Sequence, residues 1–265
     1  MLLLYHNSMS SCSQKVRLSL AEKGLDWDGR HLDLRAGDTQ TVDYLKLNPK
    51  GVVPTLEHDG QIIRESNVIL EYLEDAFPTP ALRPSDALGK AEIRLWTKRL
   101  DEGHHDLATT SISMGIAFRH QFLARGEAEC TALIDAVPDP VKRERRRDLV
   151  LKGIDAPVFH EAVRMWDTLV ADMDNVLQTR DWLAGASYSI ADAAFTPYVT
   201  RLDHLNVLGF LDGREALSDW YERIQARPSY KTAIEDWNED KYLTLMSEKG
   251  AEAWPRIQEI LAAAP

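Results

Sequence analysis

Val52-Val53-Pro54-Thr55-Leu56-Glu57-His58-Asp59-Gly60-Gln61-Ile62-Ile63-Arg64-Glu65-Ser66 is the stretch that decides the fold. Two apolar runs, residues 52–56 and 61–63, flank Asp59-Gly60. That dipeptide tolerates the left-handed backbone a tight reversal demands, so the segment predicts a β-hairpin. Residues 66–77 follow as a helix with Val68, Ile69, Tyr72 and Leu73 on one face. Toward the N-terminus, Leu2-Leu3-Leu4-Tyr5 reads as a short strand. The polar stretch from His6 to Ser13 then leads into a helix carrying Val16, Leu18, Leu20 and Ala21. Lys23-Gly24 ends it with a basic last turn and a glycine stop. A second strand is expected over residues 27–34, followed by a polar loop up to the hairpin. The order strand–helix–strand–strand–strand–helix implies a small mixed sheet covered by helices, an α/β domain over residues 1–78.

Beyond the hairpin and its helix, Pro78, Pro80 and Pro84 break the chain repeatedly and mark a linker. From there the pattern is helical, an all-α domain over residues 86–265. Residues 87–118 form one long helix or two stacked ones, and residues 158–177 place Val163, Trp166, Val170, Met173 and Leu177 at three- and four-residue spacing. Ser189-Ile190-Ala191-Asp192 fits a capping box with Asp in place of Glu. Further helices are expected over residues 217–224 and 230–237, and Pro138-Asp139-Pro140 marks a loop. The cluster Lys142-Arg143-Glu144-Arg145-Arg146-Arg147 is expected to be a solvated helix face.

The bulk numbers narrow the class. With 265 residues, 44% hydrophobic and 28% charged, the composition is that of a globular protein. The apolar runs fall short of the roughly 18 residues a membrane span needs. The N-terminus shows neither a basic leader nor a small-residue cleavage site. Cys12 and Cys130 stand far apart with no CxxC pair, which suits a reducing cytoplasm. A net charge of −11 argues for solubility and against nucleic-acid binding. His104 and His105, adjacent on a helix, point in different directions, so no metal site is expected.

Three short motifs carry chemistry. Pro54 within strand-like sequence removes a ladder donor, which makes sense where the backbone of Val53 pairs with an extended peptide ligand. Ser66 is placed to cap the helix after the hairpin, and a helix start with a free hydroxyl also suits a ligand carboxylate. The adjacent Glu65 is suited to an ammonium group, so the pair matches an amino-acid head. Ser10-Ser11-Cys12-Ser13 stands between the first strand and first helix, where N–H donors, a hydroxyl and the positive helix end converge. A thiol with pKa of about 8.5 needs roughly 2.7 kcal/mol to ionise near 6.5. One hydrogen bond to a charged acceptor supplies about 1.5–3 kcal/mol, so a single serine O–H plus the helix end is sufficient.

In combination these residues resemble the glutathione transferase superfamily. Its thioredoxin-like N-terminal domain has a serine, tyrosine or cysteine after strand one, a proline in a pattern like Asn48-Pro49-Lys50-Gly51-Val52-Val53-Pro54, and a Glu-Ser pair opening helix three. The Ser189–Asp192 box looks like the capping box of the family's helical domain, so the resemblance spans nearly the whole chain. It implies glutathione as cosubstrate, a cytoplasmic homodimer, and a substrate site in an apolar cleft between the domains. Val53 and Pro54 would engage the cysteinyl backbone of glutathione and Glu65 and Ser66 its γ-glutamyl head. Ser10, with Ser11 and Ser13 close behind, would activate its sulfur. Val52 stands where many relatives have a polar side chain, so one contact is missing or moved. Ser10-Ser11-Cys12 followed by Val16-Arg17 looks like the zeta class. Leu82-Arg83-Pro84-Ser85-Asp86 and residues 90–98 look more like the bacterial β-etherases. By that likeness the substrate is a small aromatic molecule met by Met9, Ser111, Met114 and Phe118, and the reaction is glutathione-dependent β-aryl ether cleavage. A zeta-type maleylacetoacetate isomerase and a non-catalytic binding module are the alternatives.

Overall fold

The computed structural model describes residues 1–137 and 139–263. In chain order the elements are β1 (Leu2–His6), α1 (Ser11–Glu22), β2 (Asp28–His31), α2 (Val42–Leu47), β3 (Thr55–His58), β4 (Gln61–Arg64), α3 (Ser66–Ala76) and α4 (Ala87–Arg99). They are followed by α5 (Thr110–Ser113), α6 (Arg119–Leu123), α7 (Glu127–Asp135), α8 (Pro140–Lys152) and α9 (Pro157–Leu177). The last four are α10 (Ile190–His204), α11 (Glu215–Gln225), α12 (Pro228–Ala233) and α13 (Asp240–Ala262). The chain divides into two compact units. One gathers residues 1–97, 179–199 and 219–239, the other residues 98–178, 200–218 and 240–265.

The first unit holds a four-stranded sheet in the order β2-β1-β3-β4. β1 runs parallel to β2 and antiparallel to β3, with Leu4 opposite Gly29 and Leu56. The hairpin turns at Asp59-Gly60, both at positive φ, and pairs Leu56 with Ile63. Alternation along β1 sends Leu2 and Leu4 inward, where they meet Val16 and Leu20 of α1, Leu56 of β3, and Ile69 and Leu73 of α3. Each such side chain contributes about 1.5–3 kcal/mol by leaving water. Buried Lys23 and Glu74 pair at 2.5 Å. The Lys23 ammonium donates to the carbonyls of Phe77 and Pro80, and the Glu74 carboxylate accepts from Leu82 N–H. The proline-broken linker is therefore tied down by one ion pair whose remaining hydrogen-bonding capacity is used.

Three local expectations are corrected. Helix α2 lies inside the stretch read as a polar loop; Thr41 caps it by accepting from Tyr44 N–H, a signal hidden by the helix's short length. β3 starts at Thr55, so Pro54 precedes the strand rather than interrupting it, as its missing N–H requires. β2 covers Asp28–His31 alone and is an exposed edge.

The second unit is helical. The segment read as one long helix or two stacked ones is interrupted: Gly103 sits at φ 139° within the wide-turned stretch Leu100–Thr109, and a second such stretch covers Met114–Phe118. The apolar face of α9 buries Phe159, Val163, Trp166, Val170 and Met173. Gly250 of α13 lies against the Leu205 carbonyl, where a Cβ would come within 1.4 Å of the oxygen. The basic cluster lies on α8, capped by Asp139, whose carboxylate accepts from Lys142 N–H. Lys142 and Arg145 pair with Asp106, and Arg147 with Asp135. Pro138 of the Pro-Asp-Pro loop lies outside the described residues. Among those residues no helix is long and apolar enough to cross a membrane, and no cluster of three metal-ligating side chains occurs.

Candidate active site

The loop from β1 to α1 places the serines. Ser10 is the N-cap of α1, with φ −72° and ψ 117°, and its Oγ accepts from Ser13 N–H at 3.3 Å. Its carbonyl accepts the first helical bond from Gln14 N–H. The cap uses a lone pair of the hydroxyl and leaves the O–H proton to be donated elsewhere. Capping and thiol activation are thus compatible on the same oxygen. Ser11 is buried on the first turn. Ser13 is fully buried and its Oγ accepts from Asn7 N–H, so it holds the loop to the helix. Cys12 and Cys130 form no disulfide.

Beneath this loop lies Arg17, only 1% exposed. Its guanidinium donates to the carbonyls of Asn7 (3.0 Å), Ser8 (2.8 Å) and Ala233 (2.8 Å), and it lies over the ring of Trp237. It also meets His6 Nδ1 at 3.2 Å. Since a guanidinium only donates, His6 accepts at Nδ1 and carries its proton at Nε2. Burial, then Arg17, then His31 push the His6 pKa down to about 3, so this ring is neutral. Burial also lowers Arg17, to about 9, which leaves it charged at neutral pH. The positive charge lies directly under the serine loop.

Val53 joins Pro54 through a cis peptide bond at the start of β3. Tyr44 Oη and Asn48 Nδ2 both donate to the Val52 carbonyl, at 2.7 and 2.9 Å, fixing the approach to this turn. Among the described residues, the backbone N–H and C=O of Val53 have no backbone partner. They are available to an extended ligand. The Val52 side chain is exposed.

Glu65, the N-cap of α3, sits at φ 66° and ψ 116° and makes no side-chain capping bond. Holding a non-glycine residue there costs about 1–3 kcal/mol, and such strain concentrates at ligand clamps. Its carboxylate pairs with the Lys50 ammonium at 2.7 Å on an exposed surface. Ser66 is buried and its Oγ accepts from Lys15 Nζ at 3.3 Å. Lys15, 1% exposed, also donates to Asn67 Oδ1 at 3.0 Å and faces the ring of Tyr198.

Serines 10, 11 and 13, Val53-Pro54 and Glu65-Ser66 all lie in the first unit, with Met9 buried beside them in sequence. Ser111, Met114 and Phe118 lie in the second. Ser111 Oγ is buried with no hydrogen-bond partner among the described residues. Met114, half-buried, packs against the small core of Cys130, Ile134 and Val150. Phe118 lies under the Arg201 guanidinium. Sequence reasoning assigned no role to Lys15, Arg17, Tyr44 or Asn48, although Arg17 and Asn48 fall within its motifs. Nothing in a single sequence marks a basic residue as buried: Lys15 finds its partners 51 and 52 residues on, and Arg17 finds loop carbonyls and one 216 residues away that only folding brings together.

Comparison with known proteins gives a consistent result. The family model described as glutathione S-transferase, N-terminal domain, matches residues 9–76, and that for the C-terminal domain matches residues 138–228. Protein LigF of Sphingobium sp. (strain NBRC 103272 / SYK-6) is 31% identical over 94% of this chain and 98% of its own. Its solved structure, described as a beta-etherase, superposes with a TM-score of 0.77 over 89% of this chain and 99% of its own, at 30% identity. The tetrachloro-p-hydroquinone reductive dehalogenase of Sphingobium chlorophenolicum is 27% identical over 87% of this chain and 94% of its own. A probable maleylacetoacetate isomerase of Drosophila melanogaster is 36% identical over 42% of this chain and 46% of its own.

Proposed function

The chain belongs to the glutathione transferase superfamily, whose cosubstrate is glutathione, and from that premise we propose that it cleaves β-aryl ethers. Its fold is that of the superfamily, a thioredoxin-like α/β domain followed by an all-helical one. The observation that carries the chemistry is the N-cap geometry of Ser10, whose oxygen accepts from Ser13 N–H and keeps its own proton to donate. That O–H donates a hydrogen bond to the glutathione sulfur, which favours the thiolate, and the thiol's own proton passes to water. The thiolate attacks the carbon bearing the aryloxy group: a C–S bond forms, the C–O bond breaks, and the electron pair leaves on a phenolate that takes a proton from water. A phenol with pKa near 10 is a tolerable leaving group, so thiolate activation and positioning are what the protein must supply. Val53 pairs with the cysteinyl backbone, while Glu65 and Ser66 hold the γ-glutamyl head. The ether substrate is supported by likeness to LigF over nearly its whole length. The enzyme works as a cytoplasmic homodimer in this reading, and sedimentation would report the dimer.

Likeness to a probable maleylacetoacetate isomerase over 42% of this chain, together with the zeta-like string Ser10-Ser11-Cys12, favours a second reading, in which glutathione adds and leaves without being consumed. Incubation of protein and glutathione with a β-aryl ether, and separately with maleylacetoacetate, decides between them. Release of a phenol with a glutathione thioether is the expected result. Isomerisation with no net glutathione uptake would reverse the order. Failure to be retained on immobilised glutathione would leave only a binding module of this fold.

A further inference from the structure

The geometry points to Lys15 as the positioning residue that makes Ser66 a carboxylate donor, so that this buried ammonium selects the α-carboxylate of the γ-glutamyl head. The inference rests on the glutathione reading above and adds the residue that sets its specificity. Lys15 projects from α1 to the start of α3, 51 residues on, where Ser66 Oγ and Asn67 Oδ1 accept from its Nζ at 3.3 and 3.0 Å. Asn67 is held in turn, its Nδ2 donating to the Thr97 carbonyl at 3.0 Å.

The consequence lies in the direction of one proton. A hydroxyl has a single hydrogen to give. With a lone pair of Ser66 Oγ engaged by an ammonium, the O–H points away from Lys15 and toward an incoming acceptor. A donor polarised by a neighbouring cation binds a negative acceptor more strongly than a neutral one. Glu65 adds no capping bond to the first turn of α3, so the positive helix end reinforces the same preference. The three effects all favour an anion at Ser66. Glu65, at the N-cap with φ 66°, spends no oxygen on capping; its exposed carboxylate pairs with Lys50, which the ammonium of the same head would displace. Lys15 therefore acts through Ser66 without touching the ligand.

Calorimetric titration tests this with two ligands: glutathione, and the analogue whose γ-glutamyl α-carboxylate is replaced by hydrogen. Lys15→Met is expected to weaken glutathione about tenfold or more, the factor that loss of one charge-assisted bond predicts, and to leave the analogue within about twofold. Lys15→Arg should restore most of the loss, and Ser66→Ala should lower glutathione affinity while making a further Lys15→Met change nearly silent. Lys15→Gln, with the unfolding midpoint as a folding control, gives the same comparison should the methionine variant not fold. Equal weakening of both ligands would make Lys15 a structural residue only, and unchanged glutathione binding would remove it from the site. Wild-type protein that binds neither ligand would instead overturn the glutathione reading, and the Lys15 inference with it.

Discussion

Ser10 Oγ accepts from Ser13 N–H, and Ser13 Oγ accepts from Asn7 N–H, so two hydroxyls three residues apart are wired to different ends of one loop. On the proposed reading, Ser10→Ala removes the proton offered to sulfur, along with a cap worth about 1 kcal/mol. A drop in kcat/KM of roughly 100-fold is expected, together with a bound-thiol pKa raised by a unit or more, read from thiolate absorbance against pH. Ser13→Ala, by contrast, leaves a buried N–H without its partner and should cost about 1–3 kcal/mol of stability with the thiol titration unmoved. An unimpaired Ser10→Ala enzyme would reject the assignment. Glu65 separates fold from function in another way. Glycine at φ 66° relieves the strain, so Glu65→Gly should be as stable as wild type or up to about 1 kcal/mol more so. Its KM for glutathione should nevertheless rise several-fold with the ammonium partner gone, and a variant that loses both stability and affinity would refute that division of labour.

The same logic runs through whole elements. Helix α10 begins at a box in which the Asp192 carboxylate accepts from Ser189 N–H and Oγ, from Leu183 N–H and from Trp220 Nε1, all within 3.0 Å. Asp192→Ala would strand these donors in a buried place, costing about 3 kcal/mol or more by urea unfolding; a loss under 1 kcal/mol would mean water replaces the carboxylate. The bonds from Leu183 and Trp220 were not legible in the sequence, whereas the Ser189–Asp192 part of this box was, because those two residues lie three apart. So were the Asp59-Gly60 hairpin, α3 and α9, whose patterns are local and complete in the chain. What was not legible shares a different property. Helix α1 buries Lys15 and Arg17 among its apolar residues, and their partners at Ser66, Asn67 and Ala233 come together only after folding. A periodicity argument turns such residues to solvent. The short helix α2 was missed, and residues 87–118 were left open between one helix and two, because a short helix or one positive φ leaves too few residues to show a period.

For the molecule as a whole, the buried histidines set the response to acid. His6 in the first unit and His204 in the second are each held near pKa 3, His6 by burial, Arg17 and His31, and His204 by burial and Arg201. Their unfolded value is about 6.5. Between those limits the unfolded chain binds protons that the folded chain refuses, so stability contributed above pH 6.5 is lost as pH falls toward 3. Asp192 works the other way, because burial raises its pKa and makes the folded state the better proton acceptor as pH falls. Two histidines outweigh one carboxylate. Near pH 5 these two rings should contribute a slope of about 2.6 kcal/mol per pH unit if Asp192 stays ionised, and about 1.3 if it binds a full proton. Urea midpoints recorded from pH 7.5 down to 4.5 would show a plateau above 6.5 and a steady decline below it. His204→Gln, which has no proton to take up, should remove about 1.3 kcal/mol per unit from that decline. A profile flat down to pH 5 would mean that both rings protonate in place, and the charge of Arg17 would then not govern the ring beside it.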